Sequence, residues 1–265
     1  MDAHRLETDA VLELLKHVAT EYITPRFRKL GDDEVMEKKP GDLVTIADRE
    51  AEKAVTDWLH SHDPEALVVG EEATAADPTL LNKLAHAPRA WIIDPVDGTK
   101  NFVNGRKEHA VMLAELAHGE TVRGWIWQPE LGHAYVAEKG AGLYLDNTRL
   151  NPTPRSNNPA ELRVLTSNPA KEGPSGDLTL YSSAWCCGVD YPWLAEGTAD
   201  AIVYWSDKPW DHAPGSLFIR ELGGVIRYAD GTEYHAGRQH TGRLIPAATA
   251  QIWEIITTEG AALFQ

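Results

Sequence analysis

One stretch decides how this chain is interpreted: Trp91-Ile92-Ile93-Asp94-Pro95-Val96-Asp97-Gly98-Thr99-Lys100-Asn101-Phe102. Its apolar start predicts a strand that ends at Asp94, because Pro95 lacks a backbone N–H and interrupts regular pairing. Asp94 and Asp97 are then expected to turn back toward a common point, with the carbonyl of Val96 between them. The stretch therefore predicts a cluster of oxygen ligands at the end of a strand.

The residues that follow suit an anion. Gly98 permits a sharp turn, and Thr99 starts a short helix whose free N–H groups suit a phosphate. Carboxylates gathered at one strand end repel one another unless a cation or a shared proton lies between them. Their oxygens suit Mg²⁺, Mn²⁺ or Ca²⁺ rather than zinc. A plainer alternative stays open at this point, because Asp is also a favoured turn and N-cap residue.

Short apolar or alternating runs bounded by turn residues surround this stretch and predict a set of strands. The predicted strands are 67–69, 90–93, 109–116, 122–128, 133–136, 163–167, 180–183, 201–205 and 225–228. Helices are predicted from the apolar spacing of residues 11–22, from residues 51–59 after a start signal at Thr45 and Asp48, and from about 210 to 222. Residues 38–42 are predicted to form an exposed loop.

Helices that flank strands at both ends of the chain predict an α/β or α+β layered fold. The Pro- and Asn-rich stretch 151–159 is the expected junction between two parts. We expect residues 1–150 to form an N-terminal α+β half with a metal-binding core. Residues 151–265 then form a C-terminal α/β half that completes the active site.

The composition excludes several classes of protein. The 265 residues carry 25 Lys+Arg against 40 Asp+Glu, a net charge of −15, which argues against a nucleic-acid-backbone binder or a basic membrane-surface protein. The N-terminus lacks a signal-peptide pattern, and no window approaches the ~18–20 apolar residues of a membrane span. The two cysteines, Cys186 and Cys187, are adjacent and do not form a disulfide scaffold. We expect a soluble cytoplasmic protein.

Four blocks of sequence, taken in order, resemble the inositol monophosphatase family. Taken alone, the adjacent glutamates Glu71 and Glu72 are typical of a solvated surface. Asp211 alone is typical of a helix N-cap. Together the blocks span residues 41–224: Asp42-Leu43-Val44-Thr45-Ile46-Ala47-Asp48, Gly70-Glu71-Glu72, the Asp94–Phe102 block, and Trp210-Asp211-His212-Ala213-Pro214-Gly215 followed by Leu222-Gly223-Gly224. The resemblance implies a layered α-β-α-β-α sandwich of the sugar-phosphatase type and a metal-dependent, lithium-sensitive phosphatase that forms homodimers.

Carried over by position, the resemblance implies a role for each residue. Glu71, Asp94 and the Val96 carbonyl would hold a first Mg²⁺. Asp94, Asp97 and Asp211 would hold a second, and Glu71 would reach a third through water, with Mn²⁺ as a substitute metal. The resemblance implies that Asp48 and Thr99 orient and help to deprotonate the nucleophilic water, with Glu71 also in the catalytic set. The backbone N–H groups of Gly98 and Thr99 would take phosphate oxygens.

The part of the chain that would contact the leaving group departs from the family pattern. Tyr204 stands where family members that act on inositol phosphate have a glutamate that binds sugar hydroxyls. Ser182-Ser183-Ala184-Trp185-Cys186 replaces a glycine-rich stretch. We take Ser183, Ala184 and Tyr204 as the substrate-binding candidates. Groups that hydrogen-bond a hydroxyl dominate discrimination, so this more aromatic pocket disfavours inositol phosphate and favours a flat ring.

The sequence thus predicts a Mg²⁺-dependent phosphatase that hydrolyses a small soluble phosphate monoester by attack of a metal-activated water. Two alternatives stay open. One is a 3′-phosphoadenosine nucleotide phosphatase or a histidinol phosphatase of the same family. The other is a catalytically silent metal-binding regulatory module. The expected partner is a small-molecule phosphate ester, with no nucleic acid polymer and no membrane.

Overall fold

The computed structural model describes residues 6–260. Within that range the α-helices are α1 (Thr8–Val18), α2 (Ile46–His62), α3 (Glu71–Ala76), α4 (Leu80–Leu84), α5 (Thr99–Val103), α6 (Cys187–Glu196), α7 (Pro209–Glu221) and α8 (Ala250–Glu259). The strands are β1 (Val35–Lys39), β2 (Asp42–Thr45), β3 (Leu67–Gly70), β4 (Arg89–Asp97), β5 (Ala110–Ala117), β6 (Glu120–Gln128), β7 (His133–Glu138), β8 (Gly142–Leu145), β9 (Thr148–Arg149), β10 (Val164–Thr166), β11 (Gly173–Ser175), β12 (Leu178–Ser182), β13 (Ala201–Val203), β14 (Val225–Tyr228) and β15 (Leu244–Ala247).

Two sheets carry most of the architecture. The seven-stranded sheet has the order β3-β4-β5-β6-β7-β8-β9, with β3 parallel to β4 and the later neighbours antiparallel. The six-stranded sheet has the order β11-β12-β10-β13-β15-β14, with β10 parallel to both β12 and β13. The hairpin β1-β2 stands apart from both sheets.

Side chains that alternate along the strands make both faces of each sheet apolar, and helices cover those faces. The molecule therefore has five layers: helices, the seven-stranded sheet, helices, the six-stranded sheet and a last helix. Helices α1 and α2 cover one face of the seven-stranded sheet through an apolar cluster that includes Trp91, Ile93, Val111, Leu113 and Trp125. Helices α6 and α7 lie between the sheets, and α8 covers the far face of the six-stranded sheet. A fully buried Leu or Ile side chain contributes about 1.5–3 kcal/mol, so these interfaces stabilise the stack. The predicted layered α/β fold is confirmed.

Strand β4 does not end at Asp94, and that prediction is wrong. The register pairs Asp94 with Met112 and Asp97 with Ala110, so three steps along β4 match two along β5. This is a β-bulge: Pro95 cannot donate a ladder hydrogen bond, and the chain bows out and rejoins the sheet. At Asp94 and Asp97 the bulge interrupts the regular alternation of side chains between the two faces of the sheet.

The predicted exposed loop at residues 38–42 is confirmed only at its centre, where residues 40–41 form the exposed turn of the β1-β2 hairpin and Gly41 takes a φ of 83° that suits glycine. Residues 38, 39 and 42 belong to the two strands. The side chain of Lys38 is largely buried, because it reaches two glutamates that follow β3. The two sheets fall on either side of residue 150, and the division into two halves stays a prediction.

Candidate active site

Three carboxylates meet where the bulge of β4 faces the first turn of α7. One oxygen from each of Asp94, Asp97 and Asp211 lies within 4.8 Å of the others. Asp94 and Asp97 are 2% and 7% exposed. Local sequence explains the placement, because the Pro95 bulge turns two carboxylates to one side and Pro209 opens α7 two residues before Asp211. These residues, predicted from spacing and resemblance, are thus brought together.

The cluster resists ionisation. Burial, followed by the carboxylates of Glu71, Asp97 and Asp211, raises the pKa of Asp94 well above its usual value. Burial, followed by Asp97 and Glu71, likewise raises the pKa of Asp211, and the ammonium of Lys208 acts in the opposite direction. The carboxylates of Asp94 and Asp211 therefore repel one another in a buried site. A divalent cation between them would offset that repulsion.

Asp97 is oriented from the other half of the chain. Its Oδ2 accepts from the thiol of Cys186 at 2.9 Å and from the N–H of Gly188 at 2.5 Å. A Cβ at Gly188 would lie 2.5 Å from the Cβ of Ala110, so only glycine lets this N–H approach. Burial raises the pKa of Asp97, while these hydrogen bonds act to lower it. Sequence reasoning missed Cys186 and Gly188; a glycine directly after two cysteines was the available signal.

Glu71 lies at the start of α3, beside the cluster but outside the group of three. Its Oε1 is 2.7 Å from the ammonium of Lys38, which also lies 2.8 Å from Glu72. Burial raises the pKa of Glu71 to about 7 although Lys38 opposes this. Burial acts to lower the pKa of Lys38, but Glu71 and Glu72 outweigh it and raise that pKa. A cation of the protein itself thus occupies the neighbourhood of a predicted metal ligand.

A second glutamate holds α3 in place. The carboxylate of Glu52 accepts the N–H groups of Glu72 and Ala73, each at 2.8 Å, and so caps the helix. A Cβ at Gly70 would fall 2.2 Å from the Cδ of Glu52, so the approach requires glycine. Glu52 therefore positions Glu71 without touching the cluster. Sequence reasoning missed it because its partners lie about twenty residues away.

Asp48 and Thr99 form the predicted pair. The hydroxyl of Thr99 lies 3.0 Å from Asp48 Oδ1 and 3.0 Å from the carbonyl of Val96. Asp48 is the third residue of α2, and its other oxygen accepts the N–H of Thr45 at 2.8 Å in a capping box. Burial raises the pKa of Asp48 to about 6, and the hydrogen bonds from Thr45 limit that rise. A buried carboxylate that accepts a hydrogen bond from a hydroxyl fixes the direction of the hydroxyl proton.

The predicted substrate contacts lie in a tightly held segment. The N–H of Ala184 donates to Asp190 at 2.7 Å, and the carbonyl of Ala184 accepts from Asn101 at 2.8 Å. Ser183 and Ala184 are buried beside the Cys186 contact, whereas the ring of Tyr204 packs in the core between Tyr191 and His212. The exposed aromatic of this segment is instead Trp185, which is 38% exposed with a φ of 60°.

His212 is not available as a metal ligand, although it lies with Cys187 and Asp211 in a group of potential ligands. Its Nδ1 is 3.0 Å from the hydroxyl of Tyr191, and its Nε2 is 2.9 Å from the carbonyl of Ser206. Both ring nitrogens are therefore already engaged. The assignment of individual site residues stays a prediction.

Comparison with known sequences gives consistent matches. The sequence model described as "Inositol monophosphatase family" matches residues 5–259. A protein named fructose-1,6-bisphosphatase/inositol-1-monophosphatase of Thermotoga maritima is 28% identical over 215 residues, which is 76% of this chain and 78% of the relative. A protein named Nus factor SuhB of Vibrio cholerae is 28% identical over 211 residues, 75% of this chain and 76% of the relative.

Solved structures share the fold. An IMPase of Thermotoga maritima superimposes with a TM-score of 0.77 at 24% identity and covers 96% of this chain and 97% of its own. A structure described as IMPase/NADP phosphatase complexed with Mg²⁺ and phosphate gives a TM-score of 0.75 at 21% identity, with 95% of each chain covered. Among residues 6–260, no helix is both long and apolar enough to cross a membrane.

Proposed function

Because the chain belongs to the inositol monophosphatase family, we propose that it is a Mg²⁺-dependent phosphoric monoester hydrolase acting on a small soluble phosphate. One observation carries the proposal. One oxygen from each of Asp94, Asp97 and Asp211 lies within 4.8 Å of the others in a buried site where these carboxylates raise one another's pKa values, and Asp48, which accepts from Thr99, acts on the same cluster. A cluster without hydrolytic function has no need of that pair.

The donor set fits a hard divalent cation. Asp94, Asp97 and Asp211 supply carboxylate oxygens, and Glu71 and the carbonyl of Val96 supply further oxygen donors at the same edge. All-oxygen ligand sets suit Mg²⁺, with Mn²⁺ as a substitute. Because the pKa values of Asp94 and Asp211 are raised, a metal ion would compete with protons for these carboxylates, so metal affinity should rise with pH. Two or three ions are proposed, as the resemblance implies.

The side chains of this protein bind and release the protons of the reaction. When bound, Mg²⁺ supplies charge compensation for the phosphate and lowers the pKa of water. Asp48, with a pKa of about 6, is mostly ionised at pH 7 and accepts a hydrogen bond from the Thr99 hydroxyl, which leaves a lone pair of the Thr99 oxygen to accept from the attacking water. Glu71, with a pKa of about 7, can hold or release a proton near neutrality. The N–H groups of Gly98 and Thr99 are proposed to take phosphate oxygens.

A panel of phosphate esters tests this proposal. Phosphate release is measured for inositol 1-phosphate, fructose 1,6-bisphosphate, a 3′-phosphoadenosine nucleotide and histidinol phosphate, with Mg²⁺ titrated from zero. We expect Mg²⁺-dependent hydrolysis of at least one ester and inhibition by lithium at fixed Mg²⁺. Failure on every ester at saturating Mg²⁺ or Mn²⁺ contradicts the proposal and favours the silent regulatory module.

One observation favours a second candidate within the class. Trp185 is exposed one residue from Cys186, whose thiol contacts Asp97, while Tyr204 replaces a hydroxyl-binding glutamate. A flat leaving group, such as the ring of a 3′-phosphoadenosine nucleotide or of histidinol phosphate, would stack on an exposed indole. The same panel separates these esters from inositol 1-phosphate.

The homodimer and the cytoplasmic location remain part of the proposal, and light scattering measures the oligomeric state.

A further inference from the structure

Of the two oxygens of the Asp97 carboxylate, one is fully engaged by the protein itself. Its Oδ2 lies 2.9 Å from the Sγ of Cys186 and 2.5 Å from the backbone nitrogen of Gly188. A carboxylate oxygen offers about two lone-pair sites, so the thiol and the N–H together fill both. Neither of these donors bonds to Oδ1. Asp97 therefore offers a cation one oxygen rather than two.

The thiol of Cys186 is placed to donate to Oδ2 in particular. The carbonyl oxygen of Asp97 is another acceptor for the thiol, but it lies farther from the sulfur, at 3.6 Å. Cys186 is 2% exposed, and a thiol keeps its proton at neutral pH. A Cβ at Gly98 would fall 3.3 Å from the sulfur and 3.0 Å from the Cβ of Cys186, so the glycine makes room for the thiol. The sulfur therefore packs between Gly98 and Asp97.

The backbone that carries both donors is fixed by buried hydrogen bonds. The side-chain amide of Gln128, which is itself 2% exposed, donates to the carbonyl of Gly188 at 2.7 Å. The carbonyl of Cys186 accepts the N–H groups of Val189 and Asp190 at 3.1 and 2.9 Å, where α6 begins. Breaking such buried hydrogen bonds is costly, so the two donors stay on Oδ2.

The neighbouring carboxylate of Asp94 is held in a different way. Its Oδ1 accepts a backbone N–H from Val96 at 3.2 Å, two residues along the same bulge. The donors to Asp97 lie instead 89 and 91 positions away in the chain, on the segment that opens α6. The orientation of Asp97 is therefore set by a part of the protein that is separate from the bulge.

Mg²⁺ and Ca²⁺ differ in how they bind carboxylates. Mg²⁺ requires a near-ideal octahedron and keeps several waters, whereas Ca²⁺ takes more oxygens and readily binds both oxygens of one carboxylate. A carboxylate with one available oxygen therefore suits Mg²⁺ and denies Ca²⁺ a bidentate ligand. We propose that Cys186 is a positioning residue that makes Asp97 a one-oxygen ligand and so selects Mg²⁺ against Ca²⁺. This selectivity rests on the metal site of the proposed function.

Metal competition tests the role of Cys186 without any substrate. Mn²⁺ is bound to the full-length protein, and the EPR signal of free Mn²⁺ is followed while Mg²⁺ or Ca²⁺ displaces it. We expect the wild-type protein to bind Mg²⁺ more tightly than Ca²⁺. In Cys186→Ala, Mg²⁺ affinity should fall at least about tenfold, as is typical when a group that orients a metal ligand is lost, while Ca²⁺ affinity stays within about twofold or rises.

Two further variants separate metal selectivity from a structural role. Cys186→Ser keeps a donor at the same place and should retain the wild-type ratio of Mg²⁺ to Ca²⁺ affinity. Thr257→Ala removes a hydroxyl that donates to the carbonyl of Trp253 within α8, remote from the cluster, and should retain that ratio as well. Continued Ca²⁺ binding by Cys186→Ala shows that this variant is folded.

An affinity ratio that is unchanged in Cys186→Ala, or changed as much in Cys186→Ser, overturns the role of Cys186. Equal loss of both metals in Cys186→Ala overturns it too, because a merely structural role predicts that result, and so does a wild-type preference for Ca²⁺. Absence of Mg²⁺ binding by the wild-type protein overturns both this role and the proposed function. A protein that selects Mg²⁺ through Cys186 but hydrolyses no ester retains the role of Cys186 and loses the proposed function alone.

Discussion

The two walls of the candidate active site are held together in opposite ways. The wall of Asp94, Asp97 and Asp211 is made of buried carboxylates that repel one another. The facing wall, residues 183–186, is held by neutral backbone groups that donate to Asp190 and accept from Asn101. The first wall depends on what it binds, and the second is complete without a ligand. Each prediction below disturbs one wall and measures the effect on activity or stability.

The largest effect is expected from Asp94→Asn, which removes a carboxylate from the first wall. Activity should fall by more than about 100-fold, since even the loss of a residue that only orients a metal ligand costs about 10–100-fold. The fold should survive, because an uncharged amide relieves the repulsion that raises the pKa of Asp94. Phosphate release and a thermal melt in EDTA measure the two effects. Wild-type turnover in this variant would refute the metal assignment.

A large effect is also expected from pH in the metal-free protein. Burial raises the pKa of Glu71 from 4.5 to about 7 and that of Asp48 from 3.8 to about 6. Between about pH 4 and 7 the folded chain therefore holds protons that the unfolded chain has released. Stability then falls as pH rises through this window.

Mg²⁺ should reduce that slope, because a cation bound beside Glu71 and Asp48 lowers the pKa values of both carboxyl groups. Urea denaturation from pH 5 to 8, with EDTA or with Mg²⁺, measures both curves. A free energy of unfolding in EDTA that rises with pH through this window would contradict the raised pKa values.

Much of the first wall could be predicted from sequence, because its signals, the acidic residues and the proline and cap residues beside them, are close together in the chain. Asp94 and Asp97 flank a proline, and Asp48 follows its cap residue Thr45 by three positions. The bulge itself could not be predicted, since it exists only through the pairing of β4 with β5. The same holds for Lys38, which is buried only because β1 and β2 pair and carry it to Glu71.

The second wall was poorly predicted for the same physical reason. Asn101 reaches Ala184 across 83 residues, and Cys186 reaches Asp97 across 89. Neither partner leaves a local signature in sequence. Tyr204 was assigned to the pocket from its position alone, and in the structure its ring packs against Tyr191 in the core.

A moderate effect is expected from Asp190→Ala, which breaks the second wall. It leaves the N–H of Ala184 and the hydroxyl of Tyr204 without an acceptor, and each costs about 1–3 kcal/mol when buried. The free energy of unfolding should fall accordingly, as urea denaturation measures. Asp190→Asn keeps an acceptor oxygen and is the matched control. Equal loss in both variants would mean that the carboxylate charge, rather than the hydrogen bonds, holds the wall.

The smallest effect is expected from Trp185→Gly. The left-handed backbone costs a residue with a Cβ about 1–2 kcal/mol, and glycine loses about 0.5–1 kcal/mol more chain entropy, so the backbone terms nearly offset one another. Loss of the buried part of the indole and of its hydrogen bond to Ser182 then lowers the unfolding free energy modestly. KM should rise several-fold for esters with a flat leaving group and stay unchanged for inositol 1-phosphate. Tyr181→Ala, at another exposed aromatic, is the control, and the same KM shift there would remove the assignment to Trp185.

The hydrogen bonds that Asp97 receives from Cys186 and Gly188 also set the order in which the molecule becomes competent during synthesis. A nascent chain of 150 residues already contains Glu71, Asp94 and Asp97, yet it lacks both Asp211 and the groups that orient Asp97. Abandoned translation products of that length therefore carry acidic residues but no assembled centre. The proposed centre is therefore assembled only after the ribosome has added the second sheet and α7, and a chain that terminates earlier lacks Asp211 and the groups that orient Asp97.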